Sequence, residues 1–237
     1  MRTILACLVL ASGLASAATI NIFGTGYTAG GSKVLPLGTD GNWTLESGPG
    51  ASVPSPFAPF VTYGSALSQF PFSSGAWFKD GSFGSTSEWI SPLARETASN
   101  PNSPTVPYVY QETFSLIGVD PSTAVIIGEW SADNYGYIVV NGTEVTTGAN
   151  GIIPNAAGEF KSFTSFTLDS SNANFVLGTN TIQFDVFNNA NGSPDVTGIN
   201  VDFLSATAEN PEPATFGFIG FGLAALGLLG KTVKRRG

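Results

Sequence analysis

Apolar and polar residues alternate in short runs through the middle of this chain. The cleanest run is Thr181-Ile182-Gln183-Phe184-Asp185-Val186-Phe187, with Ile182, Phe184 and Val186 on one side. A period of two is the mark of a half-buried strand with that apolar set turned to a core. Tyr108 to Leu116, Asn42 to Glu46 and Thr197 to Phe203 read the same way, and Thr19 to Phe23 reads as the first strand. Ala124 to Trp130 is apolar on both sides at its start, which predicts a central strand. Tyr137-Ile138-Val139-Val140, then Asn141-Gly142, then Glu144-Val145-Thr146 predicts a hairpin, because Asn-Gly is the preferred pair for a type I′ turn. Phe160 to Leu168 alternates imperfectly and predicts one strand with a bulge, and Ala206 to Asn210 reads as a linker. Helical periodicity is missing from this region, while Gly, Asn, Ser, Thr and Pro punctuate it. The pattern predicts an all-β fold, an antiparallel β-sandwich or jelly roll. Gly48 to Gly84 holds five prolines and eight large aromatics, including Trp77. Proline does not sit in central strands, so this stretch predicts loops laid over the sandwich.

Two apolar runs at the ends break the alternation. Met1 to Ala17 has Arg2, an apolar stretch from Ile4 to Leu14, and the small residues Ala15-Ser16-Ala17. It reads as a secretory signal cleaved after Ala17. Ala214 to Gly230 is apolar apart from Thr215 and is followed by Lys231, Lys234, Arg235 and Arg236. At about 1.5 Å per residue it makes a helix of roughly 26 Å, enough for a thin bilayer. The basic end predicts a cytoplasmic C-terminus with everything before Pro211 outside. The expected organisation is a signal helix over 1–17, a β-sandwich domain over 18–208, and a C-terminal segment over 209–237 with a single transmembrane helix over 214–230.

Pro211-Glu212-Pro213, the short apolar run and the basic tail, in that order, resemble the PEP-CTERM sorting signal of Gram-negative bacteria. The resemblance implies recognition by an exosortase at the membrane, removal of the tail, and a destination on the cell-envelope surface or in the extracellular matrix. A second resemblance rests on Trp89-Ile90, Tyr108-Val109-Tyr110-Gln111, Trp130-Ser131-Ala132-Asp133-Asn134, Ile138 to Gly142, Leu177 to Val186 and Thr197 to Val201. These are similar to galactose-binding-like jelly-roll domains, a family with sugar-binding modules, members that carry a structural calcium, and members without a ligand.

Charge and composition narrow the chemistry. Between residues 18 and 210, Lys33, Lys79, Arg95 and Lys161 face sixteen acids, about −12 in all. Such a surface repels phosphate backbones and argues against nucleic acid as a partner. The chain has no histidine, which removes His-based triads and His-ligated zinc. Its one cysteine, Cys7, lies in the expected signal, so the exported part carries no disulfide. A pair of carboxylates at glycosidase spacing is not informative among sixteen.

Candidate sites follow from position along the chain. Trp77, Trp89 and Tyr108 flank loop-rich stretches and could form a sugar-stacking platform; the alternative is that they pin the loops down. Trp130 ends the most apolar strand and reads as core. Glu129, Asp133 and Asn134 around one strand end, with Asp120 in a neighbouring turn, are oxygen ligands of the kind calcium takes, and equally the ordinary residues of turns. The reading is a non-catalytic exported protein, carbohydrate-binding or exopolysaccharide-associated. Its rivals are a structural matrix protein without a small ligand and, third, a glycan hydrolase. A binding module should present an exposed Trp or Tyr beside polar groups; a structural protein should bury all four tryptophans.

Overall fold

The computed structural model describes residues 16–28, 30–50, 56–62, 71–96, 100–145, 151–155, 159–189 and 195–211. Eleven strands are described: β1 (Ala17–Thr19), β2 (Trp43–Ser47), β3 (Phe60–Val61), β4 (Ile90–Ser91), β5 (Tyr108–Ser115), β6 (Val125–Asp133), β7 (Tyr135–Val140), β8 (Thr143–Glu144), β9 (Thr164–Leu168), β10 (Thr179–Phe187) and β11 (Gly198–Glu209). The described helices are single 3-10 turns at Phe72–Ser74, Ser82–Gly84, Pro121–Thr123 and Glu159–Lys161. None of them is long and apolar enough to cross a membrane. The apolar run 214–230, its basic end and the signal up to Ala15 lie outside the described residues.

The strands form two antiparallel sheets. One runs β3-β4-β11-β6-β9, with β1 also paired to β11; the other runs β2-β5-β10-β7-β8. Alternation decides which side of each strand meets the other sheet. Ile182, Phe184 and Val186 of β10 are fully buried, as are Tyr108 and Tyr110 of β5, and Ile126 and Trp130 of β6. Phe184 sits in the middle, with ring centroids 4.9 Å from Trp130, 5.6 Å from Trp43 and 6.0 Å from Phe166. The Trp130 indole N–H, which cannot be left unpaired in a core, donates to Gly151 O at 2.8 Å. The β7–β8 hairpin turns through Asn141 (φ 48°) and Gly142 (φ 76°), the left-handed pair that the Asn-Gly sequence predicts. At Gly136 of β7 a Cβ would lie 2.1 Å from Asp185 O, so no larger residue fits between these strands.

Three sequence expectations need correction. The first strand is Ala17–Thr19, two residues earlier than Thr19 to Phe23. After Ile20, whose N–H still reaches Ala206 O, the chain leaves the sheet, and the Phe23 N–H donates to Glu112 Oε1 at 2.8 Å. A buried carboxylate there takes the place of a neighbouring strand. Phe160 lies in a 3-10 turn, and only Thr164–Leu168 is strand. Ala206 to Glu209 is no linker: it is the last third of β11, paired with β1 on one side and, through Thr207, with β6 on the other. One extra residue at the irregularity between Phe203 and Ser205 leaves Leu204 pointing out and lets the strand continue.

Candidate functional site

The outward side of the five-stranded sheet is set by the residues that alternate with its core set. In β10 these are Thr181, Gln183, Asp185 and Phe187. Register then places their neighbours: Gln183 opposes Gln111 on β5 and Val139 on β7, Asp185 opposes Val109 and Tyr137, and Phe187 opposes Tyr135. On the far side of β5, Gln111 opposes Thr44 of β2. No lysine or arginine occurs in any of the five strands.

Aromatic rings occupy one end of this face. Tyr135 stacks on Phe187 at 5.0 Å with an interplanar angle of 12°, and Tyr137 lies 5.8 Å from Phe187. The Tyr135 hydroxyl donates to Pro104 O at 3.2 Å, which ties the pair to the loop before β5. Both tyrosines are half-buried, as strand residues beside large neighbours are. A polar relay crosses the middle. Gln183 Nε2 donates to Gln111 Oε1 at 2.9 Å, and Gln111 Nε2 donates to Glu46 Oε1 at 3.2 Å. Each amide spends one of its two N–H donors in this relay, so a second is left for a ligand.

Asp185 joins the two parts. Burial pushes its carboxyl up to about 6; Tyr137 beside it acts the other way, and Glu144 adds to the rise. The Tyr137 phenol is raised in turn, first by burial and then by the Asp185 and Glu144 carboxylates. Beyond β8 the face meets an open hollow of about 360 Å³ lined by Thr143, Glu144, Ser170, Ser171, Asn172 and Asn174, with Ala173 as its only apolar residue. Chemically the surface offers flat rings, amides, hydroxyls and carboxylates, without a fixed positive charge. That set suits a neutral ligand rich in hydroxyl groups: rings for the apolar face of a pyranose, amides and carboxylates for its hydroxyls.

The aromatics singled out from sequence are elsewhere and are not a platform. Trp77 is 1 % exposed, Trp89 and Tyr108 are 0 %. Trp77 stacks on Trp89 at 4.2 Å and donates its indole N–H to Asp133 Oδ2 at 2.7 Å. Trp89 donates to Phe78 O, and Tyr108 to Pro101 O. The loop stretch folds down and buries Trp77 and Trp89 with Phe72 and Val196, while Tyr108 lies in the main core, so no ring face is left for a sugar.

The expected acid cluster does not assemble. Asp120 precedes β6 and caps the 3-10 turn there, accepting from Ser122 N–H at 2.9 Å. Asp133 ends β6, and at about 3.3 Å per residue the strand separates the two by well over 20 Å. Glu129 is four residues short of Asp133 and faces Asp202. Asn134 Oδ1 accepts from Asn189 N–H. Among the described residues no three acidic, histidine or cysteine side chains come together as metal ligands. Pro211 is the last described residue and is exposed; Glu212, Pro213, Lys231, Lys234, Arg235 and Arg236 lie beyond.

Several carboxyls sit deep instead. Burial pushes Asp133 up to about 7, against the Trp77 hydrogen bond and with Asp195 adding to the rise. Burial pushes Glu96 up to about 8 while Asn100 Nδ2 donates to its Oε2. Asp40, which accepts from Gly26 N–H at 2.7 Å, is pushed up to about 6.

Tyr135, Tyr137, Gln111, Gln183, Asp185 and Glu46 were not singled out by sequence. For Gln111, Gln183 and Asp185 the signal is the polar half of the alternation in β5 and β10, which marks the open side of a sheet as surely as the apolar half marks the core. Glu46 of β2 and Tyr135 and Tyr137 of β7 come to them only through strand pairing.

No protein-family model matches the chain, and no curated protein matches it. Among solved structures it is similar to the structure of a family 35 carbohydrate binding module from an environmental isolate, with 14% identity and a TM-score of 0.25 over 45% of this chain and 73% of that one. At that TM-score the likeness carries no weight for the function of this chain.

Proposed function

We propose that this chain is an exported, non-catalytic surface or extracellular-matrix protein that holds a polysaccharide on the open face of its five-stranded sheet. One observation carries the reading: Tyr135 and Tyr137 adjoin the Gln183–Gln111–Glu46 relay and Asp185 on a face whose strands contain no cation. A ring face beside amide and carboxylate groups is what hydroxyl-rich ligands need, and a cation-free face gives phosphate or sulfate nothing to bind. The strand orders β2-β5-β10-β7 and β4-β11-β6-β9 support assignment to the galactose-binding-like jelly rolls. Pro211-Glu212-Pro213, the apolar run and the basic end support export followed by exosortase processing at the envelope.

The test is affinity electrophoresis of the purified protein in gels cast with bacterial exopolysaccharides, for the native chain and for Tyr137→Ala. Retardation by at least one neutral glycan, lost in Tyr137→Ala, is the expected result. Equal retardation of the two proteins would overturn the assignment of the face. A second reading, a structural matrix protein without a small ligand, is favoured by the burial of all four tryptophans, Trp43 and Trp77 at 1 % and Trp89 and Trp130 at 0 %. Native mobility in every glycan gel would select it.

A further inference from the structure

The two termini of the described chain leave the sandwich at one end. Ala17 to Thr19 of β1 pair with Glu209 to Thr207 of β11, and Asn210 N–H donates to Ser16 O at 3.0 Å. The neighbouring turn at this end is fastened to the same strand: Asp120 N–H donates to Glu209 O, and Glu209 N–H to Thr123 Oγ1, both at 2.8 Å. Three residues before Asp120, Ile117 is 77% exposed at the tip of the loop between β5 and that turn. A second loop, before β10, lies alongside, since Leu116 N–H donates to Gly178 O at 2.8 Å. Its tip carries Val176 and Leu177, 41% and 71% exposed. Gly118 and Gly178, with φ of 86° and 98°, turn the chain back behind each tip. Two adjacent loops therefore hold branched apolar side chains in water, beyond the end of the core.

The segment after Glu209 decides what these tips meet. Ala214 is five residues on, at most about 18 Å of extended chain, and from there to Gly230 the sequence is apolar, enough for a helix of about 26 Å. A membrane that takes up this run lies within a short tether of Ile117 and Leu177. We infer that, as long as the 214–230 run remains attached, the loop tips carrying Ile117 and Val176–Leu177 are a lipid-contact surface, seated in the interface of the bilayer that this run enters. Apolar side chains at an interface sit in its outer 5–10 Å, roughly the depth that two loop tips reach without moving the sandwich. Asp120 and Asp169, whose carboxyls are held below the ordinary range by Ser122 and Ser171, rim the same end and stay ionised. They disfavour anionic headgroups, so zwitterionic lipid is the better fit. The lipid contact lies at the end of the sandwich and is independent of the glycan reading for its face.

The test uses the full chain with Cys7→Ser and one new cysteine, Ile117→Cys, Leu177→Cys or, as a control, Val106→Cys. Val106 is apolar, 47% exposed and at the opposite end of β5. Each is labelled with an environment-sensitive fluorophore and reconstituted into phosphatidylcholine vesicles with or without nitroxide-bearing lipid. The expected result is blue-shifted emission at 117 and 177 with loss of most of it to the nitroxide lipid, no such change at 106, and a smaller effect in vesicles rich in phosphatidylglycerol. Emission at 117 and 177 as red as at 106 would overturn the inference. A blue shift that the nitroxide lipid leaves intact would also overturn it, by placing the tips against protein, either a second copy or the chain's own tail.

Discussion

Two aromatic regions of this molecule invite the same guess and call for opposite ones. The loop region around Trp77 and Trp89 is the richest in rings by sequence, and the structure seals it: Trp77 lies flat on Trp89 at 4.2 Å, edge-on to Phe72 at 5.7 Å, with its N–H spent on Asp133. The face around Tyr135 and Tyr137 has fewer rings; strand alternation leaves these two half-exposed, while Phe187 under Tyr135 is buried. A loop can fold until its apolar side chains are covered, because its backbone is free to choose a path. A strand cannot, because its pleat turns every second side chain away from the core whatever its chemistry. Aromatics in loops are thus poor evidence for a platform, while tyrosines on the polar side of a central strand are good evidence.

The comparison can be broken by mutation, and the largest effect is expected in the sealed region. Trp77→Ala removes a buried ring and strands the Asp133 carboxyl, which predicts a loss of about 3–5 kcal/mol in denaturant unfolding. If Trp77→Ala kept native stability and lost only glycan binding, the two regions would exchange roles.

Next comes acidity. Asp133 (about 7), Glu96 (about 8), Asp185 and Asp40 (about 6 each) all bind their protons more tightly folded than unfolded. Their stabilising contribution is complete below about pH 4 and is lost as pH rises through about 6 to 8. The melting temperature should therefore climb by several degrees as pH falls from about 8 to about 5, helped by relief of net negative charge. Glu96→Gln, which is neutral at every pH, should flatten the upper part of that rise. A melting temperature that fell over this range in the native chain would contradict the burial of these carboxyls.

On the open face the effects are smaller and fall on binding. Tyr137→Ala should weaken glycan affinity by about tenfold, about 1.4 kcal/mol, with unfolding free energy shifted by no more than about 1 kcal/mol. Isothermal titration and urea melts separate the two. Gln183→Ala removes a single amide from the relay and should cost a few-fold in affinity, about 0.5–1.5 kcal/mol. A larger loss for Gln183→Ala than for Tyr137→Ala would move the centre of the site from the rings to the amides.

Much of the fold's centre is legible in side-chain order. The alternation in Tyr108 to Leu116 and Thr181 to Phe187 places β5 and β10, the doubly apolar start of Ala124 to Trp130 places a central β6, and Asn141-Gly142 places a hairpin turn. The edges are harder to read. β1 stops at Thr19 and Phe23 is not strand because Glu112, not a neighbouring strand, accepts the Phe23 N–H, and Ala206 to Glu209 is strand because β1 is there to pair with it. Both depend on a partner more than 80 residues away in the chain, which no local window contains. The candidate site is legible only in half: the polar positions of β5 and β10 stand out, but their meeting across strands does not.

The sequence by itself determined the strand class of this domain, its acidity, its lack of histidine and the apolar core set of each strand, because these follow from side-chain order and type alone. Tertiary structure decided which strands are neighbours, and with that the meeting of Tyr137 with Asp185 and of Gln111 with Gln183. It also decided which rings are covered. Alternation tells one side of a strand from the other, but only packing against a second layer determines which side is closed to water.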